Sequence, residues 1–120
     1  SMASNSFDYS YFEGKITPSQ DAKISIQTHA FQYGTAVFGG IRGYYNETKK
    51  NLYVFRLADH CKRLVNSTKI MQLQFHKSAD EILSIVLELL KKNEAKQNVY
   101  LRPIIYTSSL QLSPRFHDVP

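Results

Sequence analysis

Two stretches of helical periodicity stand back to back in the middle of this chain, with strand-like segments only before and after them. That order constrains the fold more than any other feature. The first stretch begins after Arg56, where Leu57, Cys61, Leu64, Val65 and Thr68 recur at three-to-four spacing, with His60, Arg63 and Ser67 beside the stripe. The second opens at Ser78-Ala79-Asp80-Glu81, a hydroxyl followed three residues later by a glutamate, which is the pattern of a capping box. It carries Ile82, Ile85, Val86, Leu89 and Leu90 and ends near Asn93, with Lys91 and Lys92 in its last turn. A doubly wound parallel sheet needs strands and helices to alternate, and they do not. The order predicts an α+β layer, a mainly antiparallel sheet with two helices packed on it.

The flanking segments supply the strands. Residues 1–8 are small and polar and read as a disordered arm, with Ser1 ahead of Met2 expected as a cloning remnant; residues 9–120 read as one small domain. Tyr11 to Ile16 predicts a hairpin with Gly14 in its turn. Asp21 to Ile26 alternates polar and apolar residues and predicts a half-buried strand. Phe38 to Tyr44 predicts another, residues 46–51 a polar turn, and Leu52 to Phe55 the returning strand. Val99 to Ser108 predicts a last strand, interrupted by Pro103 and therefore placed at an edge or a bulge.

Composition narrows the function classes. At 42% hydrophobic residues the chain is not a disordered polymer. Its net charge of +5 is spread as single residues and small clusters such as Lys49-Lys50, not as the concentrated basic face that a nucleic-acid module presents. No apolar run approaches the roughly 20 residues of a membrane span, so neither nucleic acid nor membrane is expected as a partner. Cys61 is the only cysteine, which excludes an internal disulfide and fits a reducing, cytoplasmic setting. His29, His60, His76 and His117 form no zinc-type grouping, and Ser108-Ser109 lacks the glycine-flanked elbow of hydrolases. Cys61 reads as a core residue of the first helix.

Three segments carry chemistry. Residues 28–44, THAFQYGTAVFGGIRGY, set Tyr33, Phe38, Gly39, Gly40 and Arg42 close together. Glycines in a short apolar run mark a close approach to the backbone, and an arginine there offers a planar fork to a carboxylate or phosphate. Phe55-Arg56-Leu57 leads into a helix bearing Arg63-Leu64; Arg63 is either a surface arginine or an anion ligand. Tyr100-Leu101-Arg102-Pro103 puts Tyr100 and Arg102 on one face of a strand, beside each other.

Together, and in this order, these segments resemble the N-terminal domain of branched-chain aminotransferases, the pyridoxal-phosphate enzymes of fold type IV, over roughly residues 9–120. The resemblance implies that Arg63 binds the cofactor phosphate. It implies that Tyr33, Phe38, Gly40, Arg42, Tyr100 and Arg102 line the substrate pocket, with Phe38 and Tyr100 as an apolar wall, Gly40 leaving room beside it, and Arg42 and Arg102 as charge for an acidic substrate. It implies pyridoxal 5'-phosphate as cofactor, exchange of an amino group between leucine, isoleucine or valine and 2-oxoglutarate, and a homodimer or higher multiple in which the loop at Tyr33-Gly34 reaches the neighbouring subunit. D-amino-acid transaminases and aminodeoxychorismate lyases share the fold and stay open, as does a free-standing binding module for an anionic metabolite. The family often has Phe-Glu-Gly where this chain has Phe38-Gly39-Gly40, which removes a carboxylate. No catalytic residue is assigned within the chain. The Schiff-base lysine is expected in a second domain beyond Pro120, since none of the lysines here stands in a comparable context, and the chain by itself is expected to be inactive.

Overall fold

The computed structural model describes residues 7–23, 36–106 and 109–116. Among these, the strands are β1 (Tyr9–Phe12), β2 (Lys15–Pro18), β3 (Ala36–Phe38), β4 (Ile41–Asn46), β5 (Asn51–Val54), β6 (Val99–Tyr106) and β7 (Ser109–Phe116). Helices α1 (Leu57–Ile70) and α2 (Ala79–Lys92) stand between β5 and β6. All strands join one antiparallel sheet in the order β2-β1-β7-β6-β4-β5, with β3 also pairing β6. This is the α+β layer that the order of periodicities predicts.

Alternation decides which residue goes to which face of the sheet, and the face away from the helices is exposed at Phe38, Arg42 and Arg102 but buried at Ser10 and Gln111. Val99, Leu101, Pro103 and Ile105 of β6, with Leu110 and Leu112 of β7, are buried. They form one core with Leu57, Cys61 and Leu64 of α1 and Ile82, Val86, Leu89 and Leu90 of α2. The helices therefore cover this face. α2 is closed at its start by the expected capping box: Glu81 N–H donates to the Ser78 hydroxyl and Ser78 N–H to the Glu81 carboxylate, both at 3.1 Å. At its other end the Asn93 amide donates to the carbonyls of Leu89 (2.9 Å) and Tyr9 (3.1 Å) and accepts from Tyr9 N–H (2.9 Å), which ties the helix to β1.

Four expectations need correction. The segment from Phe38 to Tyr44 is not one assigned strand, because β3 stops at Phe38 and β4 starts at Ile41. The registers Phe38–Ile104 and Ile41–Leu101 nevertheless belong to one continuous alignment, with Gly39 opposite Pro103. Gly39 N–H donates to the Pro103 carbonyl (3.1 Å), and Pro103 has no N–H to return the bond. The same geometry corrects Pro103. It lies neither at an edge nor at a bulge but inside β6, between β7 and the β3–β4 line, and its missing donor falls at the glycine break. The strand expected from Asp21 is absent over its described part. Ser19–Asp21 is a turn of 3-10 helix, and Ala22 and Lys23 belong to no strand. Ser19 explains it: its N–H donates to the Asp8 carbonyl (2.7 Å) and its hydroxyl to the Phe7 carbonyl (2.7 Å), local bonds that compete with a strand ladder. Residues 24–26 lie outside the described residues. Finally, Phe7, assigned by its sequence context to the arm, is buried and donates its N–H to the Pro114 carbonyl (3.2 Å).

Candidate active site

The break between β3 and β4 faces the middle of α1, and a pocket of about 310 Å³ lies between them. Phe38, Gly39 and Gly40 form its sheet side, and His60, Arg63 and Ser67 its helix side. The sequence explains the meeting. His60, Arg63 and Ser67 follow one helical stripe at steps of three and four, beside the buried stripe of Cys61, Leu64 and Thr68. Gly39 has no side chain to keep the helix away. A Cβ there would stand 3.1 Å from the Pro103 ring and 3.8 Å from Leu64.

The two arginines of α1 and its cap differ in their commitments. Arg56 takes a left-handed conformation (φ +48°) just before the helix, and its guanidinium turns back onto Asp59 at 2.8 and 3.0 Å. The hydrogen bond and charge of Arg56 hold the Asp59 carboxyl below the usual range. Arg63 meets no carboxylate among the described residues. Its contact is a long hydrogen bond (3.4 Å) from Nη2 to Nδ1 of His60. A guanidinium only donates, so Nδ1 accepts and the proton of the neutral ring sits on Nε2. Burial, then the charges of Arg63 and Arg56, hold the His60 pKa below its ordinary value. Cys61, one residue on, points the other way into the core, where burial pushes its thiol up to about 11.

The open face of the sheet holds the remaining expected residues. Arg42 of β4 lies directly opposite Tyr100 of β6, and Arg102 is two residues further along the same face. Phe38, Gly40 and Arg42 share that face by alternation. Gly40 joins the pocket to the face: a Cβ at this position would stand 2.6 Å from the Tyr100 hydroxyl. The Tyr100 hydroxyl occupies the room that Gly40 leaves. Phe38 is 61% exposed, and Arg42, Arg63 and Arg102 are exposed. The structure thus gathers Phe38, Gly40 and Arg63 in one pocket and places Arg42, Tyr100 and Arg102 on the adjoining sheet surface. Tyr33 lies outside the described residues.

Two residues on the same face had no place in the sequence reading. Arg115 of β7 is directly opposite Tyr100, on the side away from Arg42, and Gln111 is opposite Ile104. The signal available was the alternation Leu110, Leu112, Pro114, which sends Gln111, Ser113 and Arg115 to the other side.

A cationic side chain without an acidic partner, set beside backbone that carries no side chains, is what a phosphate or carboxylate ligand requires. Residues 36–119 match the family of amino-transferase class IV. The chain belongs to the class IV aminotransferases. It is 43% identical over 117 residues to a probable branched-chain-amino-acid aminotransferase of Aquifex aeolicus, covering 98% of this chain and 38% of that protein. With the branched-chain-amino-acid aminotransferase of Escherichia coli K12 it shares 35% identity over 109 residues, 91% of this chain and 34% of the other. Its fold matches that of a branched-chain aminotransferase of the archaeon Thermoproteus uzoniensis solved with norvaline (TM-score 0.80, 32% identity, 91% of this chain and 39% of that one). It also matches the pyridoxal-phosphate form of a branched-chain amino acid aminotransferase of Thermobaculum terrenum (TM-score 0.81, 25% identity, 98% and 42%). The chain spans less than two fifths of the length of the curated relatives it matches.

Proposed function

We propose that this chain is the small-domain part of a pyridoxal-phosphate aminotransferase that exchanges an amino group between leucine, isoleucine or valine and 2-oxoglutarate. The observation that carries the reading is Arg63. It shares a pocket with Phe38, Gly39 and Gly40 and meets no carboxylate among the described residues. These residues fit a phosphate-bearing cofactor. Arg63 holds the phosphate, and the glycine backbone lets the group approach. Pyridoxal phosphate, when bound, supplies the electron sink for the transfer of the amino group.

The chain's own residues then divide the work. Phe38 and the ring of Tyr100 give an apolar wall to a branched side chain. Arg42 and Arg102 give charge to the distal carboxylate of glutamate or 2-oxoglutarate, which is strongly disfavoured in a site without a cation. Relatives named as branched-chain aminotransferases support the choice of substrates. In this reading residues 9–120 form one domain of a longer cytoplasmic protein. A second domain holds the lysine that carries the cofactor, and the protein is a homodimer or a multiple of one, with Tyr33 at the neighbouring subunit's pocket.

The test is made on the complete protein. It is expected to transfer the amino group of leucine to 2-oxoglutarate, and Arg63→Ala is expected to weaken retention of the cofactor. Losing such a charge-assisted contact costs about 2–5 kcal/mol, with tenfold in affinity for each ~1.4 kcal/mol. Cofactor affinity is read by equilibrium dialysis. Unchanged affinity returns Arg63 to an ordinary surface role, and absence of transfer from any branched-chain amino acid ends the reading.

A further inference from the structure

β5 is the last strand of the sheet, with no further strand beside it among the described residues. Its pairing with β4 fixes which of its backbone groups are occupied. Phe55 N–H donates to the Arg42 carbonyl (2.8 Å). Bonded pairs alternate in an antiparallel ladder, so Tyr44–Tyr53 and Asn46–Asn51 are bonded in turn, while Gly43–Val54 and Tyr45–Leu52 are not. Tyr45 agrees, since its N–H points away from β5 and donates to the Asn98 side chain (2.9 Å). The N–H and C=O groups of Leu52 and Val54 therefore point outward at the edge of the sheet. Such an edge is a template for one more strand.

A groove of about 730 Å³ runs along this edge on the helix side, between β5 and the C-terminal end of α2. Leu52 and Val54 form its sheet wall, and Leu87 and Leu90 its helix wall. Leu87 is nearly half exposed. Lys50, Lys91 and Lys96 border the groove with a single carboxylate, Glu94, and none of these four forms an ion pair among the described residues. Lysines on an edge strand commonly serve to deter pairing. Here only Lys50 stands on the strand side. Lys91 lies in the last turn of α2 and Lys96 shortly after it, across the groove. An excess of positive charge around apolar walls repels a second copy of this surface and favours an acidic segment.

We propose that β5 and the groove beside it dock an extended, acidic peptide segment of another protein, which adds to the sheet as a further strand. The main-chain groups of Leu52 and Val54 bond the segment, and every second side chain of it enters the groove. Apolar side chains there meet Leu52, Val54 and Leu87, and flanking carboxylates meet the three lysines. The groove shares no residue with the pocket at Arg63, and Arg42 and Arg102 lie on the other face of the sheet. A docked segment and the proposed substrate therefore do not compete.

The test uses the complete protein and a fluorescent heptapeptide of sequence ETLTVTE, whose glutamates, leucine and valine all fall on one face of a strand. Its anisotropy is expected to rise to saturation, and hydrogen exchange over residues 51–55 is expected to slow at the amides of Leu52 and Val54. The counterpart KTLTVTK is expected to bind about tenfold more weakly or less. Lys91→Gln with Lys96→Gln is expected to weaken ETLTVTE about fourfold, at about twofold for each exposed ion pair, with transfer from leucine unchanged. Equal binding of the two peptides, affinity unmoved by the double variant, or binding that leaves exchange over residues 51–55 as it was overturns the proposal. So does an edge that is protected before any peptide is added. Protection independent of protein concentration gives the edge to another part of the same protein, and protection that grows with concentration gives it to a second copy.

Discussion

At the scale of single residues, the site depends on side chains that are missing as much as on those present. Gly40 is the clearest case. The Tyr100 hydroxyl occupies the place of its absent Cβ, so an alanine there must push the ring aside. The atom that yields is the far end of a side chain, and the fold loses little, about 1 kcal/mol or less. In the proposed function the ring belongs to the wall of the substrate site, and a displacement on the order of an ångström there reduces kcat/KM by about tenfold to a hundredfold. Gly40→Ala is therefore expected to depress both half-reactions in the complete protein with a nearly unchanged Tm. In a Tyr100→Phe background the added penalty shrinks, because the contact at 2.6 Å is to the hydroxyl. Additive losses in that double-mutant cycle would show that the two residues do not touch in the working enzyme. Gly39 acts on the opposite face, where its absent side chain admits Leu64 and keeps a carboxylate away from Arg63.

At the scale of elements, α2 shows how a local signal becomes a structural one. Ser78→Ala removes an N-cap and is expected to cost about 1 kcal/mol, a fall in Tm of about 4 °C for a domain of this size. The other half of the box depends on pH. The backbone N–H and then the hydroxyl of Ser78 hold the Glu81 carboxyl below its ordinary value. Its contribution is thus present above the ordinary carboxylate range and is lost as pH falls through the depressed one. Thermal melts of wild type and Glu81→Gln are expected to converge on acidification, and a constant gap would separate the Glu81 charge from the cap. Capping box, helical stripes and hairpin were legible in the sequence because each is written in neighbouring residues. Pro103 was misread because its cost depends on what lies across the sheet, and Gly39 absorbs the lost bond there. The segment from Asp21 failed for a related reason, since the hydrogen bonds of Ser19 reach back to Phe7 and Asp8. Motifs pointed to Arg63, Phe38, Tyr100 and Arg102, and the structure sets Phe38 and Arg63 in one pocket with Tyr100 and Arg102 on the adjoining sheet surface. Arg115 and Gln111 enter only through the pairing of β7 with β6, which no local pattern records.

At the scale of the whole molecule, the described helices pack on one side of the sheet only. The helices cover one face. On the other, Phe55 lies opposite Arg42, its N–H donating to the Arg42 carbonyl at 2.8 Å, so that Phe55, Arg42, Tyr100 and Arg115 form a row across four neighbouring segments. Tyr44 and Tyr53 face each other beside that row, and Phe38 lies towards its other side. Phe38 and Phe55 are more than half exposed, at 61% and 56%, and Tyr44 and Tyr53 little less. A soluble monomer seldom leaves so contiguous an aromatic surface open. In the proposed complete enzyme the rest of the protein supplies what lies against it, with the substrate between the two. None of the described residues covers this face, and the 120-residue chain by itself is expected to self-associate through it. Sedimentation velocity over a concentration series should show a rising mean mass. Tyr53→Ser with Phe55→Ser should return the chain to a monomer at unchanged helix content, since both side chains stand outside the core. If the unmutated chain stays monomeric throughout the series, the arginines Arg42, Arg102 and Arg115 repel copies of this face more strongly than its rings attract them. The face would then be built for an anion and a covering domain, and not for its own copy.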